Sequence, residues 1–325
     1  MSIWAIKLRK KRPCAPIGPD FAGAKLVSTS LSGSKLGVRL NRHMPTDGAE
    51  HAIFLAESYN VFHDELYTDV GRKDAKLLNI LTRSWKFRGP AFVGYVAHVS
   101  LVVTVEKRNR SAGEISLFEP AEFERFLLSR LTKLYGSKIY DGRSEYEAPY
   151  QWKVHRSLSV PAVSYEIRPV MGGHDRSMCF AFPLDHQICV LFYFQLVQYE
   201  PGNLNDKDEM VSPDPLYALV REVINSVTLE LSPSALDEYK KIKASYPEST
   251  LSERLQPLKW TTPEQDAQWK DKLRKEAEYR RQMEVSESEL ALEEKLKDAS
   301  AEELTKYIEQ AIEAEKKQSG DRGKG

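Results

Sequence analysis

Residues 92–106 read Phe-Val-Gly-Tyr-Val-Ala-His-Val-Ser-Leu-Val-Val-Thr-Val-Glu. Val93, Tyr95, Ala97, Val99, Leu101, Val103 and Val105 alternate along it, so they share one face of an extended strand, with Gly94, His98, Ser100 and Thr104 opposite. Such a strand needs partners and a layer to cover it. That layer comes next in the chain. Pro120 suits a first helical turn and Gly136 a C-terminal stop, and Phe123, Phe126, Leu127, Leu131 and Leu134 make a broad apolar stripe between them. Strand signals follow at residues 159–168, 178–182 and 188–199, the last two joined by the turn Pro183-Leu184-Asp185-His186. Residues 188–199 are apolar on both faces, as a doubly covered central strand requires. Ser212-Pro213-Asp214-Pro215 then opens a second helix, with Leu216, Leu219, Val220, Val223 and Ile224 as its buried stripe.

This order predicts an α+β domain over residues 36–232, a mainly antiparallel sheet packed by two amphipathic helices. Upstream, residues 36–40 and 52–56 read as short strands, and residues 73–87 as a short helix with Leu77, Leu78 and Leu81 on one side. Residues 1–35, carrying Pro13, Pro16, Pro19 and a basic run from Lys7 to Arg12, read as a flexible arm. Downstream the character changes. Residues 233–259 read as a linker, 260–317 as a charged α-helical extension and 318–325 as a disordered tail. Thr262-Pro263-Glu264-Gln265, Ser286-Glu287-Ser288-Glu289 and Ser300-Ala301-Glu302-Glu303 each have capping-box spacing. The stripes behind them are narrow: Trp269, Leu273 and Ala277; Val285, Leu292 and Leu296; Leu304, Ile308, Ala311 and Ile312.

The 325-residue chain is 41% hydrophobic, ample for a core, and its 47 Lys and Arg balance 47 Asp and Glu. Zero net charge argues against a global grip on nucleic acid or an acidic membrane. No apolar run approaches the ~18 residues that span a bilayer, and the terminus lacks a secretory pattern, which predicts a cytoplasmic protein. Cys14, Cys179 and Cys189 have no CxxC spacing, so cysteine alone builds no zinc site. The histidines, His43, His51, His63, His98, His155, His174 and His186, form no HxH, HxxxH or HExxH arrangement. His63-Asp64-Glu65 reads as a solvated loop, and Leu31-Ser32-Gly33-Ser34 has one glycine of the two a nucleophile elbow needs. Gly71-Arg72-Lys73 and Gly172-Gly173 match no phosphate loop. Glu119, Glu122 and Glu124 suit a helix N-terminus through its dipole. The sequence therefore predicts no catalytic residue, no cofactor and no metal ligand.

Arg83-Ser84-Trp85-Lys86-Phe87-Arg88 interleaves cations with aromatics, as nucleic-acid platforms do, yet it also fits a helix end with buried aromatics and solvated cations. His98, His155 and His186 are candidate bases for a hydrolase whose residues converge only in three dimensions.

Residues 101–231 resemble the PsbP-like superfamily. The pieces are the strand Leu101–Val105, the helix around Phe123 to Leu134, the Pro-Ala and Tyr of residues 158–167, the hairpin of residues 180–194, and Asn225-Ser226-Val227-Thr228-Leu229, where a helix runs into a final strand. The group includes secretion-associated adaptors, and its members generally bind other proteins without shared catalytic machinery. The resemblance implies a non-enzymatic protein-binding role: an adaptor, chaperone or immunity partner of a secreted bacterial protein.

Overall fold

A computed structural model describes residues 13–44, 53, 55–68, 75–109, 115–171 and 173–297, with side chains as far as residue 283. The strands are β1 (Lys25–Leu31), β2 (Ser34–Leu40), β3 (Ser58–Tyr59), β4 (Ala75–Arg88), β5 (Tyr95–Arg108), β6 (Ile139–Tyr140), β7 (Arg143–Ser144), β8 (Tyr146–Val154), β9 (Val163–Pro169), β10 (Arg176–Pro183), β11 (Ile188–Gln198) and β12 (Thr228–Glu230). The helices are α1 (Pro120–Tyr135), α2 (Leu204–Met210), α3 (Asp214–Asn225), α4 (Pro233–Ser245) and α5 (Pro263–Lys297). The fold is α+β. Its main sheet is antiparallel, in the order β4-β5-β11-β10-β9-β8, and a smaller sheet runs β12-β2-β1-β3.

Two apolar cores lie on opposite faces of the main sheet, and β11 shows why. Ile188, Val190, Phe192, Phe194 and Leu196 point into the first core, while Cys189 and Leu191 point into the second. The first core is closed by β1, β2, α3 and residues of α4. The second is closed by α1 together with Leu251, Leu255, Leu258 and Trp260. The expected face of β5 holds from Ala97 on: Ala97, Val99, Leu101, Val103 and Val105 are in the first core, while Val93 and Tyr95 are exposed. Both expected helices form, α1 with Pro120 at its start and Gly136 at its cap, and α3 with the anticipated stripe buried.

Four expectations need correction. Residues 73–87 do not form a helix; Ala75–Arg88 is strand β4, paired along its length with β5. Leu78, Leu81, Trp85 and Phe87 alternate well enough to fill a sheet face, and their β-branched and aromatic neighbours favour extension. The arm of residues 1–35 is in part a hairpin, since Lys25–Leu31 pairs antiparallel with Ser34–Leu40. Ser32 and Gly33 make its turn at φ 49° and 90°, so the serine considered as a nucleophile is a turn residue. The stretch 233–259 is not a loose linker. It begins as α4, capped by Ser232, and continues as an extended strap over the second core. Ile53, Leu55 and Ala56 carry no strand.

Residues 141–143 and the described residues from Thr262 to Lys297 belong to a second compact unit. Thr262 and Gln265 complete a reciprocal capping box at the start of α5: Gln265 N–H donates to Thr262 Oγ1 (3.3 Å) and Thr262 N–H to Gln265 Oε1 (2.8 Å). Lys272 pairs with Asp141, and the Arg143 guanidinium lies 5.4 Å from the Trp269 ring centre. Ser286–Glu289, expected to open a helix, falls inside α5. Ser300–Glu303, His51, Lys7–Arg12 and residues 298–325 lie outside the described residues.

Candidate functional site

The turn between β4 and β5 occupies residues 89–94. Gly89 N–H donates to Gly94 O (2.8 Å) and Val93 N–H to Pro90 O (3.0 Å). Phe92 is thus third in a four-residue turn, with φ at 70°. Glycine is the ordinary occupant of such a position, because a Cβ there costs about 1–2 kcal/mol. The Phe92 side chain is nonetheless 96% exposed, and Val93 and Tyr95 beside it are also open to solvent. Ile17 exchanges backbone hydrogen bonds with Arg88 (2.8 and 2.9 Å) and is itself exposed. Gly18 is required here, since a Cβ would meet the Phe87 ring at 2.3 Å. Lys86 and Arg88 lie over the Tyr95 ring at 5.1 and 5.4 Å. The result is an apolar knob on strained backbone, with a cationic collar.

A second feature is a groove of about 340 Å³ between α4 and the β8–β9 connection, walled by Tyr239, Ile242, Tyr246, Val160, Leu251 and His155. His155 Nε2 is 2.8 Å from Ser164 Oγ, and its ring packs edge-on against Phe180. Burial, reinforced by Lys153, depresses the imidazole to about 4. The serine is itself buried, so this pair joins strands and does not present a nucleophile.

The depressed value has a consequence for stability. The unfolded chain takes up the proton near pH 6.5 and the folded chain only near 4, so stability is complete above about pH 6.5 and falls as pH drops through that window. With solvent screening of a half-buried ring, the loss at pH 4 is about 1–2 kcal/mol. Urea unfolding of the wild type and His155→Asn at pH 7 and 4.5 should show the difference between them narrowing in acid. A constant difference would remove the assignment.

The remaining sequence candidates disperse. Asp64 of the His63-Asp64-Glu65 cluster is held by Lys76 (3.3 Å) and Lys107 (2.6 Å), ammonium groups standing where a metal would sit. His43 Nδ1 accepts from Ser84 N–H at 3.0 Å. The His98 ring lies 5.4 Å from Tyr199, and that of His174 lies 5.8 Å from Tyr146. Cys179 and Cys189 are buried and form no disulfide, Cys179 pushed up by burial. Cys14 bridges in backbone to Met210 and Ser212. Gly173 accepts from Lys207 at 2.9 Å, and Gly71–Lys73 and Gly172 are outside the described residues. Glu119 caps α1, Glu122 pairs with Arg108, and Glu124 accepts from Ser252. Arg83 and Trp85 are buried in β4, with Arg83 Nη1 donating to Ile53 O (3.2 Å). Only Lys86 and Arg88 of that basic run reach the surface.

One convergence was not legible in the sequence. Asp185 and His186, in the β10–β11 turn, meet Glu238 from α4, and their ligand atoms lie within 4.8 Å of one another. Comparison with protein-family profiles, with characterised proteins and with solved structures gives no match to this chain. Among the described residues no helix is long and apolar enough to cross a membrane.

Proposed function

We propose that the chain is a non-enzymatic protein-binding module that docks the Phe92 knob into an apolar pocket of another protein. The observation that supports this is the pairing of exposure with strain: a bulky aromatic is kept exposed where glycine would serve the turn better. Aromatics beside arginine are the usual composition of an interface centre. Lys86 and Arg88 favour an acidic rim on the partner. A lipid surface is the weaker reading, because stable electrostatic anchoring takes a polybasic patch and the chain as a whole is neutral. The PsbP-like resemblance points the same way, to an adaptor, chaperone or immunity partner in the cytoplasm.

A photo-crosslinking residue at position 92, compared with one at the exposed Leu26, tests the reading. A defined protein adduct at 92 and absent at 26 is the expected result. Equal adducts at both sites, or sedimentation with anionic vesicles instead, would refute it. Phe92→Gly in the same assay should weaken capture about 30-fold or more. It should leave unfolding stability unchanged or raise it by up to about 1 kcal/mol, as the left-handed strain is relieved. Loss of binding with no loss of stability separates a contact residue from a structural one.

A further inference from the structure

We infer that Asp185, His186 and Glu238 form a binding site for a single divalent transition-metal ion of the zinc type. The site is independent of the Phe92 knob. His186 Nδ1 contacts Asp185 Oδ1 and lies 3.6 Å from Glu238 Oε2. Three groups that can offer lone pairs to a metal, one imidazole nitrogen and one oxygen from each carboxylate, lie within 4.8 Å of one another, and Asp185 is 8% exposed. One metal ion can accept a bond from each of the three at once.

The supporting contacts leave ligand atoms turned inward. Gln187 N–H donates to Asp185 Oδ1 (3.3 Å), and Leu184 and Asp185 N–H both donate to Ile188 O (2.8 and 3.2 Å), which tightens the turn. The His186 carbonyl accepts from Leu117 N–H at 2.9 Å. The Ser116 hydroxyl donates to Glu238 Oε1 at 3.4 Å, leaving Oε2 toward the histidine. Outer contacts of this kind orient metal ligands. Glu238 arrives on α4, whose start is fixed by Ser232 N–H donating to Ser34 Oγ at 2.9 Å. One imidazole with two carboxylates suits Zn²⁺ and its neighbours better than the all-oxygen shells of Ca²⁺ or Mg²⁺. Three protein ligands leave a fourth position to solvent, as in reactive zinc sites.

The test uses the full chain stripped with a chelator and titrated with Zn²⁺ against a chromogenic competitor. Binding of one equivalent is expected, with at least ~10-fold loss in both His186→Ala and Glu238→Gln. His174→Ala, on a different loop, should bind as the wild type does. Asp185 is left unchanged because it also shapes the turn. Unfolding curves in chelator establish that each variant is folded, and Zn²⁺ should raise the midpoint of the wild type and of His174→Ala alone. No stoichiometric binding to the wild type, equal binding by both ligand variants, or tighter binding of Ca²⁺ than of Zn²⁺ would overturn the inference.

Discussion

A chain ended at Tyr246 is expected to lose cooperative folding, while one ended at Thr261 keeps the stability of the full body. The residues between them form the strap over the second core. Leu251, Leu255, Leu258 and Trp260 pack there beside α1. Trp152 Nε1 donates to Ser252 O (2.8 Å), Leu258 N–H to Ala148 O (2.9 Å), and Ser252 N–H and Oγ both donate to Glu124 (2.9 and 3.0 Å). Ser249 bonds to Glu119, and Trp260 Nε1 donates to Thr132 Oγ1 at 3.2 Å. Four partly buried large side chains stabilise by roughly 1 kcal/mol each, and the hydrogen bonds add about as much again. The sum, about 8 kcal/mol, lies within the range of an ordinary domain's whole stability. The described residues from Thr262 to Lys297 belong to the second unit. Urea unfolding followed by tryptophan fluorescence would read both truncations. A Tyr246-ended chain with a full-strength transition would show that the strap is dispensable.

That strap marks where sequence reading stopped. Strand β5 was legible because its apolar residues recur at period two over ten or more positions, β11 because its run is apolar on both faces, and α1 and α3 because caps and stripes agree. The strap has no period. Its apolar residues fall at irregular intervals among Ser, Glu, Arg, Pro and Lys, so it reads as a linker until the face it covers is known. Strand β4 was misread for a related reason. A bulge between Asn79 and Leu81 breaks its alternation, and what remains, Leu77, Leu78 and Leu81, imitates a helical stripe. The convergence of Asp185, His186 and Glu238 was invisible because Glu238 is distant in sequence from the other two and joins them only when α4 packs. Phe92 lay in plain sight, but nothing in its neighbours signals the left-handed backbone that singles it out.

Replacing Arg130 by Met is expected to cost about 3–5 kcal/mol, the penalty for leaving a buried charge without its partner. Arg130 Nε donates to Glu106 Oε2 at 2.9 Å, and the Glu106 side chain is wholly buried. Burial would lower the Arg130 guanidinium, but Glu106, with Tyr165 and Cys179 nearby, more than reverses that, so the guanidinium stays charged. The surroundings sharpen the point. Strand β5 presents Glu106 and then Arg108 to α1, and α1 answers with Arg130 and Glu122; Arg108 Nη1 donates to Glu122 Oε1 at 2.6 Å. Opposite charges on each element are crossed with opposite charges on the other. Sliding α1 along the sheet by two turns would bring like charges together, so the pairs set register as well as stabilise, a role attested for some buried polar groups. A second substitution distinguishes the two contributions. Arg130→Met with Glu106→Leu should recover most of the lost stability, since neither charge is then stranded. If the wild-type register depends on the pairs, the double variant should still melt over a broader range and show altered α1 protection in hydrogen exchange. A double variant as unstable as Arg130→Met alone would mean that packing around the arginine stem, and not the charge it neutralises, is what the body requires.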